Sequence, residues 1–260
     1  LRSLLFIVIG YALIWAYLSK KMSMQFMVGL LGLTILVDMW QVDRRYLNNS
    51  NFVTKSDLTN FEMRDVDTFM SADKDPNFRV LDLSIATFSD ASSSRLYKTI
   101  GGYHAAKLKR YQELIDKQFS KSINQDVLDM LNTKYIINRD PQCGSYRMTS
   151  NTTAAGNAWI VPTVQFVRNA DEEMKAINSF DPKKEAIVDE MYKGMIDAKR
   201  IIAADPNASI KLDSYHPDKL EYSYSAPTDI IAVFSEIYYV KGWYMYVEGL
   251  GKPYFTANYV

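Results

Sequence analysis

Two uncharged, strongly apolar runs fill most of the first ~40 residues, and they restrict this chain more than anything after them. From Ser3 to Ser19 no residue is charged, and this run, with LLFIVIGYALIWAYL at its centre, would extend about 25 Å as a helix at ~1.5 Å per residue. Lys20 and Lys21 interrupt it. A second uncharged run from Met22 to Val37 follows, ending in Asp38 and then Asp43, Arg44 and Arg45. Two short spans joined by a tight basic turn fit this pattern, with Tyr11, Trp15, Tyr17 and Trp40 near headgroup level.

Two other readings compete. Arg2 before an apolar run resembles a secretory signal peptide, but no small-residue cleavage site follows Leu18 and a second apolar run begins at once. A buried helical hairpin is the other, since each run is at the short limit for a span. On the membrane reading, Lys20 and Lys21 place the turn in the cytoplasm and send the chain after Arg45 to the outer side, a vote that Arg2, Arg44 and Arg45 weaken. A first residue already inside a span, with no initiating Met, fits a piece of a longer polytopic protein.

The rest has ordinary globular texture, with 48% hydrophobic and 23% charged residues. Lys plus Arg equals Asp plus Glu at 30 each, so no global field attracts nucleic acid, and no nucleic-acid partner is expected. Cys143 is the only cysteine, and His104 and His216 are the only histidines. An intramolecular disulfide, a thiolate zinc cluster and a multi-histidine metal site are thereby excluded, and no cofactor is implied.

An Asn/Ser/Thr-rich loop over 48–59 precedes a polar helix expected from about Glu62 to Ala72, and FRVLDL at 78–83 alternates like a half-buried strand. GGYHAAKLKRYQELIDKQ at 101–118 is the clearest amphipathic helix, with His104, Leu108, Tyr111 and Ile115 on one stripe. A short helix at 124–131 and a strand at 134–138 follow, then an exposed connection over 139–157. The apolar stretch 159–167 around Pro162 reads as one edge or bulged strand, and acidic residues 171–173 open a helix to about Ser179. Closely spaced strand candidates at 209–215, 219–224, 229–239 and 242–247 suggest a sandwich or meander. The expected fold class is therefore α+β. It comprises an N-terminal transmembrane helical hairpin (1–45), a mixed α/β middle region (46–183) and a C-terminal antiparallel β-sandwich-like region (184–260).

SRLYKTIGGYHAAKLKRYQELID at 94–116, DIIAVFSEIYYVKGWYMYVEG at 229–249, LNTKYII at 131–137 and the closing PYFTANYV resemble the bacterial YfhO-like polytopic membrane proteins. The resemblance covers most of the chain and is specific in the GGYH and FSEIYY-GW segments. It implies a late extracytoplasmic region of a protein similar to GT-C glycosyltransferases, which take sugar from a polyprenyl-phosphate carrier. The chain would then sit in the bacterial inner (cytoplasmic) membrane with its soluble part outside. Membrane lipid, a polyprenyl-phosphate sugar or envelope glycan, and the remaining spans are its implied partners. The catalytic acid of such enzymes generally lies in an early loop not included here, so catalytic residues are unknown; the family's usual acidic residue after the tryptophan is here Glu248.

Five residues stand out as ligand-binding candidates. Gly101 and Gly102 before a helix, with Lys107 and Arg110 a turn or two later, could cradle a phosphate, or could simply give a sharp entry and a solvated face. His104 on the apolar stripe is more readily a satisfied histidine than a base. Glu236 shares a face with Phe234 and Tyr238 on strand alternation, as on a sugar-binding surface, although the same pattern is ordinary in strands. Trp243 reads as an anchor of the sandwich or as a stacking ring. The leading expectation is a region that shapes a carrier or acceptor site for sugar transfer. The rival is a non-enzymatic glycan- or protein-binding module.

Overall fold

The computed structural model describes residues 2–55, 63–196 and 207–260 and is mixed α+β. It divides into two compact units, residues 1–62 and 63–260. The end of the expected 48–59 loop and the first residue of the expected 62–72 helix lie outside the described residues.

The first unit consists of α1 (Arg2–Leu18) and α2 (Met24–Tyr46), packed on each other and tied by an ion pair between Arg2 and Asp38. Ser23 caps α2, its hydroxyl accepting from the Phe26 amide, and Arg44 and Arg45 complement the dipole at its other end. Neither helix contains a buried residue. Met24–Asn51 is long and apolar enough to cross a membrane; α1 is shorter.

In the second unit α3 (Asp65–Ser71) leads to β1 (Arg79–Asp82), and α4 (Lys109–Gln118) and α5 (Gln125–Met130) precede β2 (Thr133–Arg139). β1 and β2 run parallel, as a crossover through two helices requires, and β3 (Tyr146–Ser150) adds antiparallel to β2. Strand alternation sends Val80, Tyr135 and Ile137 into a small core with Val66 and Met70, while Leu81 enters the main core with Ile100 and Leu114. β1 is thus buried on both faces, not half-buried as its alternation suggests.

The stretch around Pro162 is two strands. β4 (Ala158–Val161) pairs antiparallel with β9 (Ile231–Phe234), and β5 (Thr163–Val167) pairs parallel with β6 (Glu185–Asp189) across α6 (Ala170–Ala176). Pro162 lacks the amide that an uninterrupted ladder needs, so the partner changes there.

Among the described residues, the strands after residue 183 do not pair into the expected antiparallel β-sandwich. β6 and β9 pair with strands of the middle region, and the others form two separate hairpins: β7 (Ser209–His216) with β8 (Lys219–Ser225), and β10 (Met245–Val247) with β11 (Leu250–Lys252). Glu248 and Gly249, both at positive φ (52° and 78°), form the two-residue turn of the second hairpin. The anchoring indole is Trp159, buried and donating to Pro182 O at 2.6 Å. Trp243 is only half-buried.

The closing segment is built into the core. Asn258 brackets Ile187, its amide donating to Ile187 O and its Oδ1 accepting from Ile187 N, both at 2.8 Å. The Tyr259 amide donates to the buried Glu173 carboxylate at 2.8 Å, and Arg110 donates to Tyr259 O at 3.1 Å.

Candidate functional site

Two charged nodes flank β1. In the first, Arg64 at the start of α3 forks onto Asp67, donating from Nε and Nη2 at 2.9 and 2.8 Å, and also reaches Asp82 Oδ2 at 2.9 Å. Ser84 and Tyr97 accept from the same guanidinium, and Ser93 donates to Asp82 at 2.6 Å. Both carboxylates are buried. The bond to Asp67 chiefly raises the Arg64 pKa. Burial pushes Asp82 up, but bonds from Ser84, Ser93 and Arg64 outweigh it and hold the acid below its ordinary range. Every member is partnered, so this node is structural.

The second node lies at the opposite end of β1 and contains Glu236. Arg79 donates to Leu131 O and Ser235 O at 2.8 and 2.7 Å and to Glu236 at 3.2 Å. Asn77, itself buried, donates to the other Glu236 oxygen at 3.0 Å. Lys98 donates to Asn77 Oδ1 and lies 3.2 Å above the centre of the Tyr215 ring. Burial pulls Lys98 down to about 8; Glu236 opposes that shift and Arg79 adds to it. The Tyr222 hydroxyl is buried without a hydrogen-bond partner, and burial raises its pKa, as it does that of Tyr215. Tyr222 meets Phe234 edge-on at 5.0 Å.

Open hollows border this node. One, of about 490 Å³, is walled by Arg79, Ser94, Arg95, Tyr97, Lys98 and Thr99. The other, of about 320 Å³, lies among Asp75, Asn157 and the β7 residues Ile210–Leu212.

Glu236 thus belongs to the second node, though not by alternation with its neighbours. β9 ends at Phe234, and the following bend turns Glu236 onto Arg79, while Tyr238 packs against Tyr254 instead. Both Glu236 oxygens are occupied, so its role is to hold Arg79 and Asn77.

His104, Lys107 and Arg110 fall elsewhere and do not converge. The helix begins at Lys109, so Gly101 and Gly102 are not at its N-terminus and no phosphate cradle forms there. His104 is exposed rather than on the buried stripe, its Nδ1 accepting from Ala106 N at 3.1 Å, because residues 101–108 precede the helical turns. Lys107 reaches back to Gly102 O, and Arg110 packs on the Tyr259 ring and carbonyl. Gly101 is needed for a close approach instead: a Cβ there would lie 2.0 Å from Thr87 O. Trp243 donates to Ile237 O at 3.0 Å and lines neither hollow.

Asn77, Arg79, Arg95, Lys98, Tyr215 and Tyr222 were not evident as site residues. The only local signal was unusual tyrosine density in β7 and β8, since the Asn77 and Arg79 contacts to Glu236 span more than 150 positions of chain. Among the described residues no group of three or more His, Cys, Asp or Glu could hold a metal. Cys143 is an exposed thiol bonded to Ser145.

The fold and site define an α+β unit with a polar, braced hollow, in a chain that also carries a helix long and apolar enough to cross a membrane. Compared with protein families, characterised proteins and solved structures, the chain matches none.

Proposed function

We propose that this chain is the extracytoplasmic portion of a YfhO-like polytopic membrane protein of the bacterial inner membrane. In this reading α1 and α2 form a transmembrane hairpin. Residues 63–260 shape a glycan or carrier-lipid site, while spans elsewhere in the protein carry out GT-C-like sugar transfer. The observation that carries the binding role is the hollow beside Lys98. Hydroxyls of Ser94 and Thr99 and cations on a wall braced by Glu236 supply the convergent polar groups that a hydroxylated ligand needs.

One observation favours the rival reading, a non-enzymatic binding module. The carboxylate of the node has both oxygens engaged by Asn77 and Arg79, so Glu236 is not free to act as an acid or base over the hollow.

Calorimetric titration of envelope oligosaccharides into the chain held in lipid nanodiscs tests the binding role. Lys98→Met is expected to abolish saccharide binding and Trp243→Ala to preserve it; equal binding by both variants would sink the assignment. Sugar transfer from a polyprenyl-phosphate donor by the purified chain alone would refute the division of labour.

A further inference from the structure

The hollow beside β1 has an uneven charge. Arg79, Arg95 and Lys98 line it, no carboxylate among the described residues lines it with them, and Glu236 beside Arg79 is already shared between Arg79 and Asn77. Arg95 is exposed, with no carboxylate within ion-pair distance among the described residues. Behind Tyr97, Asp67 and Asp82 are sealed and consumed by Arg64 and the neighbouring hydroxyls, so they offer little compensation at the surface.

The hollow's walls also hold donors. Ser94 and Thr99 present hydroxyls, and Thr99 Oγ1 accepts from Gly101 N at 2.8 Å, which leaves its own proton to donate. Gly102 allows this strand of chain to lie against Ser94: a Cβ at Gly102 would meet Ser94 Oγ at 3.3 Å, and its φ is +94°. Two guanidinium groups, an ammonium and two hydroxyls around one space match a tetrahedral oxyanion better than a neutral hydroxyl.

We infer that the hollow lined by Arg79, Arg95 and Lys98 binds a phosphoryl group, carried on a saccharide or on a lipid headgroup. This deepens the saccharide reading and rests on it only for the remainder of the ligand. Lys98 supports it independently. Its ammonium is desolvated over the Tyr215 ring and crowded by Arg79, with Glu236 the only acid opposing the loss of its proton; Tyr215 and Tyr222 are neutral beside it. An incoming anion restores the balance, and affinity should therefore fall as pH rises through about 8.

The test is calorimetry on the full chain in zwitterionic nanodiscs at low salt, with glucose 6-phosphate, glucose and inorganic phosphate as probes. Glucose 6-phosphate is expected to bind at least about tenfold more tightly than glucose, with about tenfold loss in Arg95→Ala and a larger loss in Lys98→Met. Lys107→Ala, a cation outside the hollow, should leave affinity unchanged. Competition by phosphatidic acid added to the nanodisc supports the site with a lipid as its occupant. Equal binding of glucose and its phosphate overturns the inference while leaving the saccharide reading intact. Binding of inorganic phosphate as tight as that of the sugar phosphate supports the anion site and removes the saccharide reading. Loss of binding in Lys107→Ala equal to that in Lys98→Met means diffuse charge and overturns it.

Discussion

The Arg64 node and the Arg79 node are built from the same chemistry on one strand, yet they serve different ends. Arg64 has two buried carboxylates and two hydroxyl partners, and every lone pair on Asp82 is used. Arg79 has one partly exposed carboxylate and two carbonyls, and beside it Lys98 is held by an amide oxygen and a ring. The first arrangement balances buried charge and locks α3 to β1. The second leaves cationic charge at the edge of a hollow. A saturated network stabilises only a fold, whereas an unbalanced one keeps capacity for a ligand.

The contrast is broken most severely at Asp82. Asp82→Ala should cost about 3–5 kcal/mol, because Arg64 and Ser93 lose a buried acceptor, with a large fall in melting temperature by circular dichroism. Glu236→Gln should cost only about 1–2 kcal/mol by denaturant titration, since it removes one charge-assisted bond at a partly exposed pair. If the two substitutions prove equally damaging, the distinction between sealed and open nodes fails.

Tyr222→Phe sharpens the comparison in the opposite direction. The hydroxyl is buried without a partner, so its removal should raise stability by roughly 1 kcal/mol in chemical denaturation.

The smallest effect is in pH. Lys98 falls to about 8 in the folded chain from an ordinary 10.5, so between those values the unfolded chain binds more protons. The destabilisation from Lys98 is full below pH 8 and is relieved as pH rises towards 10.5. Comparing melting temperatures across that window, Lys98→Met should show a flatter rise than the parent. At the Arg64 node the sign reverses: the depressed Asp82 contributes stability above its ordinary carboxylate range that is lost as pH falls through the folded value.

Elements with strong local periodicity were legible. The β7–β8 hairpin follows from alternation on either side of the His-Pro-Asp-Lys stretch, β2 from its β-branched run, and α5 from the Asn124 cap that accepts from Asp126 N and Val127 N. β3 was not, because its polar YRMTS sequence gains strand character only from the partner β2. The GGYH helix was placed too early: apolar spacing continued back through His104, but the backbone around Gly101 and Gly102 is committed to the approach to Thr87. Glu236 was noticed among its aromatic neighbours, yet its functional company lies elsewhere on the chain.

By itself the sequence determined an apolar N-terminal helix, a mixed α+β body and a residue inventory from which no intramolecular disulfide, thiolate zinc cluster or multi-histidine site can be assembled. These follow from run length, periodicity and residue inventory, which are properties of neighbouring positions. Tertiary structure alone decided that β6 and β9 join the middle strands instead of closing a sandwich, and that Arg79 and Asn77 meet Glu236 while His104 and Lys107 stay apart. Strand partnership and charge balance depend on which distant segments exclude water together, and local sequence spacing carries no record of that choice.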